Sequence, residues 1–180
     1  MLMQFGQFVD HDLSFTPEVN LDLETGCCED PSASSECLPI DIPLPDPSFT
    51  SSCHDFVRSA PHCSSSSVRQ QFNAITAFLD GSQIYGSEDN LQPFLRSYKN
   101  GLLRVSSKSG KEYPPTIPPC GGSTNSSELQ FQAGDRRVTE NPGLQSLHTL
   151  FIREHNRYIS YFKRIFSTSI LSELQLRSNR

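Results

Sequence analysis

Five cysteines fall between positions 27 and 63, in a stretch that also carries Pro39, Pro43, Pro45 and Pro47. Proline withholds a backbone donor and fixes its own φ, so residues 19–66 cannot form regular helix or a continuous sheet. A structureless loop of that length keeps a shape only if cross-links hold it. The six cysteines stand at 27, 28, 37, 53, 63 and 120, with no paired C-x-x-C spacing of the kind a zinc ribbon needs. An even cysteine count in a loop-rich region reads as a disulfide framework, and so as an extracellular or secretory compartment. The acceptor tripeptide Asn125-Ser126-Ser127 agrees with that compartment.

Composition narrows the function classes. A net charge of −5, with 15 basic and 20 acidic residues, leaves no basic block to neutralise phosphates, so no nucleic-acid partner is expected. No apolar run approaches the roughly 18–20 residues of a membrane span. Met1 to Phe5 lacks the basic and long apolar regions of a secretory leader, as in a mature secreted domain or an internal fragment. At 180 residues, one domain with its own core is expected.

The apolar spacing predicts a mainly α fold with extensive irregular loops. Leu2, Phe5, Val9 and Leu13 set the stripe of an opening helix that Pro17 ends. Val68, Phe72 and Ile75 mark a second helix face, closed by Asp80-Gly81. Ser87 is the expected cap of a short helix through Leu91, Phe94 and Leu95. Residues 99–132 are polar and rich in Gly, Pro and Ser, as in a surface loop. Asn141-Pro142 then starts the strongest helix, with a stripe of Leu144, Leu147, Phe151, Tyr158, Phe162 and Ile165 interrupted by Glu154.

Three constellations carry possible chemistry. Gln7, Asp10 and His11 share one face of the opening helix, while Asp12 lies about 100° further round. They make either a catalytic group or a satisfied polar face. Thr76, Phe78, Asp80 and Ser82 alternate; in an extended segment two hydroxyls, a carboxylate and the Phe78 carbonyl would converge as hard oxygen ligands. On that spacing alone a plain helix C-terminal turn with Asp80-Gly81 is the favoured reading. Arg137 and Glu140 lie just before the long helix, where a surface ion pair is the ordinary expectation. His148 and His155, two turns apart on that helix, read as packing or hydrogen-bonding histidines.

Taken in order, these stretches resemble the animal haem peroxidases. Gly6-Gln7-Phe8-Val9-Asp10-His11-Asp12, running on to Phe15-Thr16-Pro17-Glu18, is similar to the family's distal-histidine segment. Arg58-Ser59-Ala60-Pro61 with Cys63, and Gln71 through Ser87, follow as the end of the cysteine-rich loop and the calcium segment. Ala133 to Pro142, then Leu147-His148-Thr149-Leu150 and Arg153-Glu154-His155-Asn156-Arg157, resemble the distal-arginine helix. The resemblance implies a partial peroxidase domain, the distal half, over residues 1–166, with 167–180 a divergent tail.

Further expectations follow from the resemblance. His11 would be the distal acid–base and Arg137 the distal cation, with Gln7 the pocket amide. Asp10 and Glu140 would be the carboxylates that form ester links to haem b. Asp12, Thr76, Phe78, Asp80 and Ser82 would bind Ca2+. Cys27 would pair with Cys37 and Cys28 with Cys53, leaving Cys63 and Cys120 to pair, stay free or, for Cys63, link two chains. The implied chemistry is peroxide-dependent oxidation of halide, thiocyanate or phenolic donors, in response to oxidative stress. The alternatives are a non-catalytic secreted calcium-binding or interaction fragment, and a metal hydrolase using Asp10, His11 and Asp12. Phe5 stands where Trp is common, and Gln130 stands where Cys120 would find its partner. Asn141 occupies the place of a methionine that makes a further haem link in myeloperoxidase, which that link cannot survive. Nothing between Arg137 and Arg180 matches the helix carrying the family's proximal histidine, so this chain alone is expected to lack peroxidase competence.

Overall fold

The computed structural model describes residues 2–20, 26–62, 68–117 and 130–166. Cys63, Cys120, Asn125 and the 167–180 tail lie outside those residues. The chain divides into two compact units, Ser14–Ala74 and the remainder, Met1–Leu13 with Ile75–Arg180.

The Ser14–Ala74 unit is the cysteine- and proline-rich segment. Among its described residues the strands are one two-residue antiparallel pair, β1 (Ile40–Asp41) on β2 (Cys53–His54). Disulfides hold the rest, Cys27 to Cys37 and Cys28 to Cys53, in the pairing that the resemblance implies. Each closes a short loop, restricting the unfolded chain by about 2–4 kcal/mol. The helix expected over Val68, Phe72 and Ile75 does not form. Backbone donors there are taken by distant carbonyls instead: Phe72 N–H donates to Ala60 O at 2.9 Å, and Ala74 N–H to Phe15 O at 2.8 Å. The Arg69 guanidinium meanwhile donates to Glu36 at 2.6 Å and to the Ser59 carbonyl at 2.5 Å. Those long-range bonds outweigh a weak helical spacing.

The other unit carries the helices. These are α1 (Leu2–Leu13), α2 (Ser82–Tyr85), α3 (Gln92–Leu95, after a 3-10 turn at Asp89–Leu91) and α4 (Pro142–Phe166). α4 starts where its cap requires: Asn141 Oδ1 accepts from Leu144 N–H at 2.8 Å, and Pro142 takes the first helical position. Ser87 does not cap the short helix; its hydroxyl accepts from Thr76 N–H at 3.4 Å. The described part of residues 99–132, 99–117 and 130–132, is less irregular than expected. β3 (Ser106–Lys108) and β4 (Lys111–Tyr113) form a hairpin through Ser109 and Gly110, both at positive φ as a tight twisted turn demands. β5 (Thr116–Ile117) pairs with β6 (Gln130–Phe131). Arg153 of α4 fastens the hairpin by donating to the Glu112 carbonyl.

Phe8, Ile84, Leu103, Leu144 and Ile152 form the core, with Val105 and Leu147 against it. Phe8 stacks on Phe151 at 4.9 Å and meets the His148 ring edge-on at 5.1 Å. Burial of such a ring contributes roughly 1.5–3 kcal/mol. The two long helices bury different faces from those their apolar stripes predict. On α1 the buried residues are Phe8, His11 and Asp12, while Leu2 and Phe5 are exposed. On α4 the buried line is Leu144, His148 and Ile152, and Tyr158, Phe162 and Ile165 are exposed. Asp12 is buried against the amides of Gly81 and Ser82, and His148 against the Leu144 carbonyl. No helix among the described residues is long and apolar enough to cross a membrane.

Candidate active site

Asp135 begins the construction. It sits before a 3-10 turn, Arg136–Thr139, and its Oδ1 accepts from Arg137 N–H at 2.7 Å, capping that turn. The same carboxylate then grips the Arg137 side chain twice, Nε at 2.9 Å and a terminal nitrogen at 2.6 Å. A planar fork on a carboxylate is a stiff, charge-assisted arrangement. Burial opposes ionisation of Asp135, but these Arg137 hydrogen bonds outweigh it and hold its pKa below the usual carboxylate value. Arg137 also reaches α1, donating to the His11 carbonyl at 3.4 Å.

His11 is 4% exposed. Its Nε2 lies 3.8 Å from a Glu140 carboxylate oxygen, and its Nδ1 is buried with no hydrogen-bond partner among the described residues. Burial lowers the His11 pKa, the Arg137 charge lowers it further, and Asp135, Glu140 and Asp10 pull weakly the other way. The ring is therefore neutral at neutral pH and available as a base. Glu140 is fixed in turn: Gln7 Nε2 donates to it at 2.8 Å, and Asn141 Nδ2 donates to Gln7 Oε1 at 2.9 Å. Four expected residues, Gln7, His11, Arg137 and Glu140, thus come together, and Asp10 is exposed on α1 beside them. Their anchors, Asp135 and Asn141, carried no catalytic assignment in the sequence reading. A capping residue two positions before Arg137 was the available signal for Asp135.

Of the alternating oxygen residues, Ser82 reaches α1, and Asp80, Thr76 and Phe78 connect to it within their own segment. Asp12 Oδ1 accepts from Ser82 N–H at 2.7 Å and from its hydroxyl at 2.9 Å, while Oδ2 accepts from Gly81 N–H at 3.1 Å. Asp80 Oδ1 accepts from the same Ser82 N–H at 3.1 Å and from the Thr76 hydroxyl at 3.0 Å. Phe78 joins through its backbone, its carbonyl accepting from Asp80 N–H at 2.9 Å. Two carboxylates that converge on one amide repel each other, and a hard cation relieves that repulsion. Among the described residues no cluster of three or more His, Cys, Asp or Glu side chains could hold a metal. Asp10, His11 and Asp12 do not converge as a hydrolase centre would need. Two carboxylates with neutral oxygens suit calcium rather than a nitrogen- or sulfur-loving metal.

His148 lies against Phe8 behind the site, fully buried, its Nδ1 donating to the Leu144 carbonyl at 2.9 Å. Burial lowers its pKa as well. Two histidines that stay neutral in the folded chain but take up protons near pH 6.5 when unfolded set a pH dependence. Their contribution is fully present above that pH and is lost as pH falls from it through the lower folded values. The melting temperature should therefore drop between about pH 7 and pH 5, and His148→Gln should flatten part of the slope. A melting temperature flat across that interval would contradict the assignment.

The chain matches the family model for animal haem peroxidase over residues 1–169. It is 39% identical to mouse (Mus musculus) myeloperoxidase and 40% identical to human (Homo sapiens) eosinophil peroxidase. Each alignment covers 92% of this chain and 26% of the relative, so the chain spans about a quarter of their length. The fold is shared with peroxidase A from Dictyostelium discoideum, at a TM-score of 0.70 and 23% identity, covering 92% of this chain and 34% of that one.

Proposed function

The chain belongs to the animal haem peroxidase family, and from that premise we propose that it supplies the peroxide-activating, distal face of a haem peroxidase. The observation that carries this reading is a buried, neutral His11 beside a cation, Arg137, that Asp135 holds rigidly. Its unpartnered ring nitrogen fits a site built to receive a ligand's proton. Haem b, when bound, supplies the redox-active iron on which the oxygen–oxygen bond of hydrogen peroxide breaks.

The protein's own residues do the proton and charge work. His11 would take a proton from one oxygen of peroxide and give it to the other, while the two electrons that release that oxygen as water would come from the bound haem. Arg137 holds positive charge where negative charge grows on the departing oxygen. Gln7, held by Asn141 and holding Glu140, orients water or halide beside His11. Asp10 and Glu140 are the carboxylates for ester links to the haem. Halide, thiocyanate and phenols are the proposed donors, with a role in the response to oxidative stress. Two disulfides support a secretory or extracellular setting.

A chain extended through a proximal-histidine helix and reconstituted with haem b should oxidise a phenolic donor with peroxide, and His11→Ala in that chain should slow it by roughly 10²–10⁴-fold. Turnover that His11→Ala leaves untouched would sink the proposal. Calcium at Asp12, Thr76, Phe78, Asp80 and Ser82 is its structural companion, because Asp12 adjoins His11 and fixes the end of the helix that carries it. Calorimetry should detect calcium binding, and Asp12→Asn should weaken it at least about tenfold by removing one of two carboxylate charges. Equal affinity in the variant would exclude this loop as the site.

A further inference from the structure

Tyr85 and His155 are not used in the chemistry above, yet they form an ordered pair. The Tyr85 hydroxyl lies 2.9 Å from His155 Nδ1, and His155 Nε2 lies 3.0 Å from the Gly101 carbonyl oxygen. A carbonyl can only accept, so Nε2 carries the ring proton and donates it. With that proton on Nε2, the ring presents a lone pair at Nδ1, and the phenol donates to it. Burial raises the Tyr85 pKa, so the phenol keeps its proton under ordinary conditions. Among the described residues Tyr85 is the one tyrosine whose hydroxyl meets an imidazole.

Such a phenol can lose its proton easily in one circumstance, the removal of an electron from the ring, which makes the hydroxyl strongly acidic. We propose that Tyr85 and His155 form a reversible proton-coupled redox pair, at which an exposed tyrosine collects electrons from aromatic donors too bulky for the buried site. A one-electron oxidant takes an electron from the Tyr85 ring, the O–H bond breaks, and the proton joins His155 Nδ1. The products are a neutral phenoxyl radical, an imidazolium and the reduced oxidant. A phenolic donor then gives one electron to Tyr85 and a proton to solvent, becoming a phenoxyl radical itself. The proton on Nδ1 returns to the Tyr85 oxygen, and the pair is restored.

Position supports the assignment. Tyr85 is 44% exposed, enough for its ring to be met from solvent. It closes α2, whose first residue, Ser82, is hydrogen-bonded to Asp12 next to His11. Gly81, at φ 77°, allows the ring to lie across the start of the helix, since a Cβ there would stand 3.1 Å from two ring carbons. A short bonded path therefore joins the surface ring to the proposed peroxide site. Its place in turnover rests on the peroxidase proposal; the oxidisability of the pair does not.

The test uses an external oxidant, so a failure of the haem proposal does not touch it. The full chain is mixed with hexachloroiridate(IV) at neutral pH, frozen within milliseconds and read by electron paramagnetic resonance. The expected signal is a phenoxyl radical hydrogen-bonded to a ring nitrogen, seen as coupling to ¹⁵N in histidine-labelled protein. Tyr85→Phe should remove that coupling. His155→Gln, whose amide can replace both hydrogen bonds but cannot hold the proton, should slow radical formation roughly 100-fold. No histidine coupling in the unsubstituted chain would overturn the proposal, as would an unchanged rate in His155→Gln.

Discussion

Gly134→Ala should be the most damaging glycine-to-alanine change among the described residues, lowering stability by roughly 3–5 kcal/mol through overpacking and two lost backbone hydrogen bonds. A Cβ at Gly134 would stand 2.2 Å from Ser82 O and from Gly86 N, and 2.9 Å from Gly86 Cα. All three are backbone atoms in and just after α2, so no side chain can swing aside. Relief requires α2 to move away from the segment that leads into the arginine turn. That movement breaks the bonds from Gly134 N–H to Ile84 O at 3.2 Å and from Asp135 N–H to Gln83 O at 3.0 Å. Asp135 anchors Arg137 and Ser82 anchors Asp12, so both attachments of the site loosen together. Gly110→Ala is the comparison. Its φ of 72° strains any side chain, but nothing lies within 4 Å, and about 1 kcal/mol is expected. Urea unfolding of the two variants measures the difference. Equal losses would show that the approach of Gly134 to α2 is looser than drawn.

Little in the sequence warned of that contact, which joins positions about fifty residues apart. What the sequence declared was local. Asn141-Pro142 starts α4 because capping chemistry depends only on adjacent residues. Leu2, Phe5, Val9 and Leu13 have good helical spacing and do lie on a helix, yet the buried side is Phe8, His11 and Asp12. An apolar stripe reports what a helix could bury; partners far along the chain decide what it does bury. Asp12 goes inward because the amides of Gly81 and Ser82 await it. Val68, Phe72 and Ile75 failed as a helix for the converse reason, since Ala60 and Phe15 carbonyls claim the amides of that segment. The β3–β4 hairpin was legible in principle from Ser109-Gly110, a turn dipeptide set in a stretch too polar to suggest strands.

The site divides along the same line. Spacing alone left Gln7, Asp10 and His11 as either a catalytic group or a polar face, and only the resemblance assigned roles. The structure adds the groups that contact these residues, which spacing does not single out. Asp135 is the clearest of them, because it acts on Arg137 by contact and on His11 by charge.

That division of labour yields a prediction with two opposite signs. If His11 is the base, as proposed, the reaction with peroxide needs it neutral, so the acid limb follows the His11 pKa. The Arg137 charge lowers that pKa and the Asp135 charge raises it. Arg137→Ala should therefore move the acid limb to higher pH, and Asp135→Asn should move it to lower pH. Their effects on rate differ as well. Removing Arg137 takes away the charge facing the leaving oxygen, and the plateau rate should fall by about 10²–10³-fold, as for other preorganised donors. Arg137→Lys should recover little of it, because an ammonium cannot make the two-pronged contact with Asp135 that aims the cation. Asp135→Asn keeps an acceptor for the Arg137 amide and one side-chain nitrogen, so it should lose a smaller factor. Stopped-flow measurement of the peroxide reaction across pH, on haem-reconstituted variants of the chain extended through a proximal-histidine helix, reads limb and plateau together. Acid limbs that move in the same direction in Arg137→Ala and Asp135→Asn would mean that His11 does not set the profile, and the base would have to be sought elsewhere on α1.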